Sequence, residues 1–539
     1  MKTFAANCPS CGGPVEFRSS DSLVTVCEFC RTAVARTNKQ ISEVGRVADL
    51  LATRSGLQLG LTGKFKGRKF EIVGRVQYRH PAGGVWDEWY LAFSDRVGWL
   101  AEAQGRFYLL FSRPAKILGR DVDFDSLQMG AEFDLGRQLG TATVTEKGVA
   151  TAASAEGEIP WRFEPGAPHR FADITGARGL FGTIEFDAGR RATGRPLELD
   201  SGGNVATVSS SAATGVSLGR ETTPSELEIT LPNAEEIAVP RTTTTRVNCP
   251  QCGGPLTLVA PDVTERVACP SCKALLDCDH GALKYLLTLK GKHVRPMIPL
   301  GSTGTFGELS WTIIGFMERY VVHEGTKYRW TEYLLYNRDR GFRWLVNSEG
   351  HWSFVTPLSP GEAKSRGMTA DYGHEEFALF QKGTAYVSYV VGEFYWKVEI
   401  GEKVETSDYV RPPLMLSFER SSTGSSEELN VSLGRYVRHE ELEQAFRIKE
   451  LPRPWSIAPN QPPPEIGRML LHWLWFGATL AGIYGVALTG LFRSPPDGWL
   501  LLYAFLGVSL IPIGALLHRS SFEVQRWSNS DYSPYPAHQ

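Results

Sequence analysis

From Leu57 onward the chain alternates short apolar and aromatic runs with glycine-centred polar breaks. Residues 69–73, 88–93, 98–101 and 106–111 are such runs. Aromatic and β-branched stretches of this length, bounded by Gly-rich turns, predict antiparallel strands. The same pattern returns downstream. Gly60-Leu-Thr-Gly63-Lys-Phe65 is echoed by Gly301-Ser-Thr-Gly304-Thr-Phe306, and Ile72-Val-Gly74 by Ile313-Ile-Gly315. Trp86-Asp-Glu88-Trp89 matches Trp330-Thr-Glu332-Tyr333, and Gly157-Glu158 with Trp161 matches Gly392-Glu393 with Trp396. The pattern predicts a mainly β protein with two small modules, 57–205 and 295–450, related by tandem duplication. Small barrels and a sandwich fit the strand pattern equally.

Elsewhere the pattern changes. Residues 41–56 mix polar and apolar positions in a way that predicts a helix, and 439–446 read as another. Residues 206–246 are rich in Ser, Thr, Ala and Gly. Such composition buries little and predicts a flexible linker. Residues 451–468 are a proline-rich spacer which, extended at ~3.1 Å per residue, would hold the second module roughly 40 Å from the C-terminal region. Residues 469–517 contain two long apolar runs broken at Arg493-Ser-Pro-Pro-Asp-Gly498. Each run approaches the ~20 residues a helix needs to cross the hydrocarbon, so they predict a transmembrane helical hairpin. Small residues at Ala478, Gly482 and at Ala481, Gly485 would let the other arm pack closely. Positive charge favours the outer flanks: Arg447, Lys449, Arg453 and Arg468 before the runs, Arg519 and Arg526 after them. The positive-inside rule then places both termini, including a tail at 518–539, in the cytosol of an inner-membrane protein.

The 539-residue chain carries 57 Lys+Arg against 59 Asp+Glu, so no global field draws in nucleic acid. The N-terminus lacks an apolar core and is not a signal peptide. A reducing cytosol is implied, and with it a reading of eight of the nine cysteines as metal ligands. Eight form two sets of paired Cys-x-x-Cys: Cys8, Cys11, Cys27, Cys30 and Cys249, Cys252, Cys269, Cys272. This is zinc-ribbon spacing, placing ribbons at 1–40 and 247–282, each with one structural zinc ion. Glycine after Cys11 and Cys252 suits a tight knuckle. Cys278 is left as a small core residue.

The Leu-Gly-x-x-Gly opening, the Trp-x-Glu-Tyr/Trp strand, the Gly-x-Trp-Leu…Gly turn and the Gly-Glu-x-x-Trp motif stand at 59–63, 86–89, 98–105 and 157–161. They recur at 300–304, 330–333, 343–350 and 392–396. The second copy adds Asp408-Tyr409, Leu416-Ser-Phe-Glu419 and a Gly434-Arg-Tyr-Val…Ala445-Phe446 ending; the first copy departs after Ile174. As a set these residues resemble the bacterial domain-of-unknown-function 4178 family. The resemblance implies architecture more than activity, with a hint toward membrane-stress or membrane-maintenance systems.

An enzyme needs a nucleophile with a base, an open metal or a cofactor cradle. The sequence has no Gly-x-x-x-x-Gly-Lys-Ser/Thr, no His-Glu-x-x-His and no Gly-x-Ser-x-Gly. We therefore expect no catalysis. The best carboxylates, Glu88, Glu158, Glu332 and Glu393, sit beside Trp86, Trp161, Trp330 and Trp396. They would either floor an aromatic-rimmed pocket for a polyamine-like cation or pair within hairpins while the tryptophans fill the core. The first ribbon shows only a mild basic excess, short of a phosphate footprint. The sequence thus reads as a membrane-anchored zinc-ribbon adaptor, tethered to the bilayer by 469–517 and presenting its modules to a protein partner. A small cationic ligand is the alternative, and nucleic-acid binding a second one.

Overall fold

A computed structural model describes residues 4–17, 22–36, 41–47, 50, 56–81, 85–103, 106–161, 163–186, 211–231, 245–260, 264–279, 282–289, 294–338, 340–423, 426–489 and 497–535. Each cysteine set lies in a small unit of antiparallel strands. The first comprises the hairpin Phe4–Asn7 with Pro14–Phe17, then Val24–Val26, Thr32–Arg36 and Ile41–Arg46. The last of these corrects the helix expected at 41–56: Ile41–Arg46 pairs with Thr32–Arg36 through a bulge. Tertiary packing decides this, because Val44 lodges against the core of the neighbouring module. Residues 48–49 and 51–55 lie outside the described residues.

The repeated modules are closed eight-stranded antiparallel barrels of one topology. The first consists of β1 (Arg68–Arg79), β2 (Val85–Phe93), β3 (Val97–Ala103), β4 (Arg106–Arg113), β5 (Thr141–Ile159), β6 (Pro168–Gly176), β7 (Leu180–Glu185) and β8 (Gly215–Thr222). Their order around the ring is β1-β2-β3-β4-β8-β7-β6-β5, with β5 closing on β1. Two four-stranded meanders therefore meet along their first and last strands.

Strand β8 corrects the flexible linker expected at 206–246. Within that polar composition Val216 and Leu218 alternate and are buried. Gly219 is required where β8 crosses β4, since a Cβ would stand 1.7 Å from the Leu109 carbonyl oxygen. The segment after β8 also packs: Leu227 and Ile229 are buried with Phe70 and Trp89 on the outer face of the barrel. Residues 206–210 and 232–244 lie outside the described residues.

The second barrel repeats the order with β9 (Leu309–His323), β10 (Thr326–Asn337), β11 (Gly341–Ser348), β12 (His351–Leu358), β13 (Glu375–Phe394), β14 (Lys403–Arg411), β15 (Leu414–Thr423) and β16 (Ser426–Val437). Here β12 pairs β16 and β13 closes on β9. Helix α1 (His439–Phe446) then covers the outer face. Phe446 lies over Gly304 as Ile229 and the Leu227 carbonyl lie over Gly63. The short segment around Leu227 thus replaces, in the first copy, the helix that ends the second.

The sequence repeat has a steric cause. In each barrel the first strand bulges where the fifth crosses it, between Ile72 and Gly74 and between Ile313 and Gly315. A Cβ on Gly74 would meet the Glu158 carbonyl oxygen at 1.7 Å, and one on Gly315 the Glu393 carbonyl oxygen at 2.4 Å. Their partners Gly157 and Gly392 take φ of +68° and +94°. Only glycine fits both sides of the crossing.

Two apolar helices come next, α2 (Gly467–Leu488) and α3 (Gly498–Arg526), each long and apolar enough to cross a membrane. They touch through Trp473, whose indole N–H donates to Ser509 Oγ at 3.0 Å and whose ring stacks on Phe505, and through Gly477 beneath that Phe505 ring. The small-residue contact therefore falls on Gly477. Gly482 and Gly485, expected in that role, meet nothing within 4 Å. The proline-rich stretch also differs from expectation: it does not hold the hairpin away from the barrel but lies against it. Leu451, Ala458 and Asn460 are buried. His351 Nε2 contacts the Ser456 carbonyl at 2.9 Å, and Asn460 Nδ2 donates to Ser353 Oγ at 3.0 Å. Buried polar partners along the strap outweigh the solvation of an extended spacer. Helix α3 runs on to Arg526, which donates to the Ala458 and Pro459 carbonyls. Trp527 then packs on Phe380, Val410 and Met415 of the second barrel.

Candidate metal centres and the ribbon–barrel seam

Each Cys-x-x-Cys is a tight knuckle built the same way. The N–H of Cys8 donates to the Gly13 carbonyl and the Gly12 N–H returns to Cys8; the same pair of bonds forms at Cys27, Cys249 and Cys269. The residue after the second cysteine takes a left-handed conformation, with φ of 76° at Gly12 and 70° at Gly253. Arg31 and Lys273 hold the same conformation in the other two knuckles without glycine's freedom.

Within each set all four sulfurs lie within 4.8 Å of one another. Cys8 and Cys30 stand 3.7 Å apart, Cys11 and Cys27 3.6 Å, Cys249 and Cys272 3.7 Å, and Cys252 and Cys269 4.0 Å. Metal–sulfur bonds of ~2.3 Å in a tetrahedron require edges of roughly 3.8 Å. The residues therefore fit a metal ion. The acid–base chemistry points the same way: burial and the neighbouring sulfurs push Cys272 up to about 12, while the Thr32 hydroxyl draws Cys30 down to about 6. Four thiols this close cannot ionise together unless a cation shares their charge. Bound, the ion would find all four positions filled by thiolate, which leaves no site for substrate. Cys278 is buried in the core of the second ribbon beside Leu276 and Leu258.

Each ribbon is added to its barrel as an extra stretch of sheet. Val24 and Thr25 pair with Ile159 and Glu158, and residues 266–268 pair with 392–394. Glu158 and Glu393 bind across these seams. Ser22 Oγ donates to Glu158 Oε2 at 2.6 Å. Glu393 accepts from the Val259 N–H at 2.6 Å, the Ala260 N–H at 3.0 Å and the Thr264 hydroxyl at 2.9 Å. Both glutamates are buried. Trp161 stacks on Trp99, and Trp396 packs edge-on against Trp344 and Phe394.

The other sequence candidates sit inside the barrels. Arg319 on β9 reaches Glu419 on β15, three strands away around the ring past β13 and β14, so both side chains point inward. Arg319 donates to Glu332 at 3.1 Å and to Glu419 at 2.8 Å, while the Trp330 indole donates to Glu332 at 2.6 Å. Burial pushes Glu332 upward and Asp408 up to about 6. Glu88 is the buried counterpart of Glu332 on β2, and Trp86 stacks on Tyr78. The structure thus separates the four glutamates: Glu158 and Glu393 lie at ribbon seams, Glu88 and Glu332 within barrels. Arg319, Glu419 and Asp408 complete the second interior. Arg319 has Tyr78 at the matching position of the first copy, so the internal repeat carried no signal for it.

The family model described as Domain of unknown function (DUF4178) matches residues 58–205 and 299–439. The first match stops short of β8, the strand that closes the first barrel. No curated protein and no solved structure matches the chain.

Proposed function

The chain belongs to the DUF4178 family, whose domain it carries twice, and from that premise we propose that it is a non-enzymatic, membrane-anchored adaptor with two structural zinc ions. The attachment of the hairpin carries this reading. Both ends of the α2–α3 pair return to the second barrel, the first through the strap at 451–464 and the second through Arg526 and Trp527. An anchor so joined holds the barrels and ribbons at one place beside the bilayer, which raises their effective concentration toward a membrane-associated protein partner. On this reading both termini face the cytosol of an inner membrane, which the positive flanks of the hairpin favour. Zinc is the ion that four thiolates in closed tetrahedral sites favour in a reducing compartment, with iron the competitor.

Full-length protein should remain in washed membranes after alkaline carbonate extraction, with protease reaching both termini from the cytosolic side only. It should carry zinc and show no iron–thiolate absorption. Release into the carbonate wash would remove the anchor reading, and stoichiometric iron would replace zinc. Crosslinked capture from native membranes should recover the same membrane-associated protein repeatedly, and lose it when residues 465–539 are deleted.

A further inference from the structure

Among the contacts between the barrels, which include an exposed ion pair of Lys364 with Glu132, two have opposite chemistry. One is neutral: the Gly361 N–H donates to Thr175 Oγ1 at 2.8 Å, and its Cα lies against the backbone of Gly176. The other is ionisable. Strands β5 and β16 pair across the junction, with Glu146 opposite Glu428 and Lys147 opposite Glu427. Directly opposed side chains share one face of the sheet, with Cβ atoms about 5 Å apart, and like charges there are unfavourable. Lys147 lies 3.9 Å from Glu427 and so relieves that pair. The Glu146–Glu428 pair has His80 instead. His80 Nε2 stands 2.6 Å from Glu146 Oε1 and 3.4 Å from Ser426 Oγ, the first residue of β16.

We infer that this junction is a proton-dependent latch between the barrels, closed while Glu428 and His80 hold their protons and loosened when they lose them. His80 is the cation that faces the pair most directly. Glu146 also faces Asp173 on β6, behind which stand Glu185 and Glu88. Glu428 faces Glu146 and His80 across the junction, and Glu402 and Asn430 from its own barrel. Arg319 is held between Glu332 and Glu419. Burial and the Glu146 charge push Glu428 up to about 7. Burial opposes a charged His80, yet its bond to Glu146 wins and raises it. Both groups therefore hold protons in the closed junction that they would release when it opens. A group of raised pKa stabilises the closed form below its free value and loses that contribution as pH rises through the raised one. The two effects add: the latch weakens as pH rises from about 5 through about 7, where Glu428 loses its proton, with His80 acting in the same direction.

The test is amide hydrogen exchange on the full chain in detergent micelles, corrected for the intrinsic pH dependence of exchange. Between pH 6 and pH 8, protection of 146–148 and 426–428 should fall by about tenfold or more relative to β10, since each pKa unit of displacement is worth tenfold. Glu428→Gln should shrink that fall to the part His80 contributes, with metal content and β10 protection reporting that it folds. His80→Gln should leave the junction open at both pH values. Unchanged protection in the unmodified chain, or the same fall in Glu428→Gln, would overturn the latch.

Discussion

The Thr264 hydroxyl donates to Glu393 Oε2 at 2.9 Å, tying the loop between two metal knuckles to the next-to-last residue of β13. The same carboxylate accepts from two backbone N–H groups of that loop. A residue that resembles a ligand-binding acid is therefore engaged in holding ribbon to barrel. Glu393→Ala should strand those buried donors and lower the unfolding free energy by roughly 2–4 kcal/mol, seen as reduced thermal stability. Glu158→Ala should cost less. An unchanged melting temperature for Glu393→Ala would release this residue for a ligand-binding role.

The seam also makes barrel stability depend on metal. Cys249→Ser with Cys252→Ser should leave one of the two four-cysteine sites intact, and elemental analysis should show half the metal. Residues 392–394 should lose exchange protection because their sheet partner, 266–268, no longer holds its shape. The first barrel, which pairs with the other ribbon, should keep its protection.

Arg526 fixes the end of α3 by donating to carbonyls of the strap. Arg526→Ala should leave them without those bonds, costing roughly 1–3 kcal/mol locally. Limited proteolysis should then cut near Trp455, which is 85 % exposed in the intact protein. No new cleavage would show that Trp527 alone suffices.

The strap should respond to acid through His351. A carbonyl oxygen can only accept, so Nε2–H donates to Ser456, and Nδ1 accepts from the Tyr436 hydroxyl. Burial lowers the affinity of this ring for a second proton. A depressed histidine contributes stability that is complete above about pH 6.5 and is lost as pH falls through the lowered value. Proteolysis of the strap should accelerate below about pH 6.5 in the unmodified chain. In His351→Gln that acceleration should disappear. This direction is opposite to that of the inter-barrel junction.

Gly361 offers a pH-independent control on that junction. A Cβ there would stand 2.4 Å from the Gly176 N and Thr175 C atoms. Gly361→Val should expose 146–148 and 426–428 to exchange at every pH, by overpacking worth about 1–3 kcal/mol, while both metal sites stay filled.

Local chemistry was enough to reveal the cysteine knuckles, the duplicated strand pattern and the paired apolar helices. A thiolate pair at two-residue spacing, a glycine beside its partner strand and a long apolar run each carry their meaning within a few residues. Closure of the barrels was decided only in three dimensions. Strand β8 hides in polar composition because Val216 and Leu218 are its only strongly apolar positions, and its pairing with β4 joins residues about a hundred positions apart. The strap at 451–464 reads as a free spacer because its partners, His351, Ser353 and Arg526, are distant in the chain. Glu158 and Glu393 show the division most clearly. Their repetition is visible in the sequence, but whether a buried carboxylate meets a ligand or a neighbouring loop depends on which donors the folded backbone brings to it.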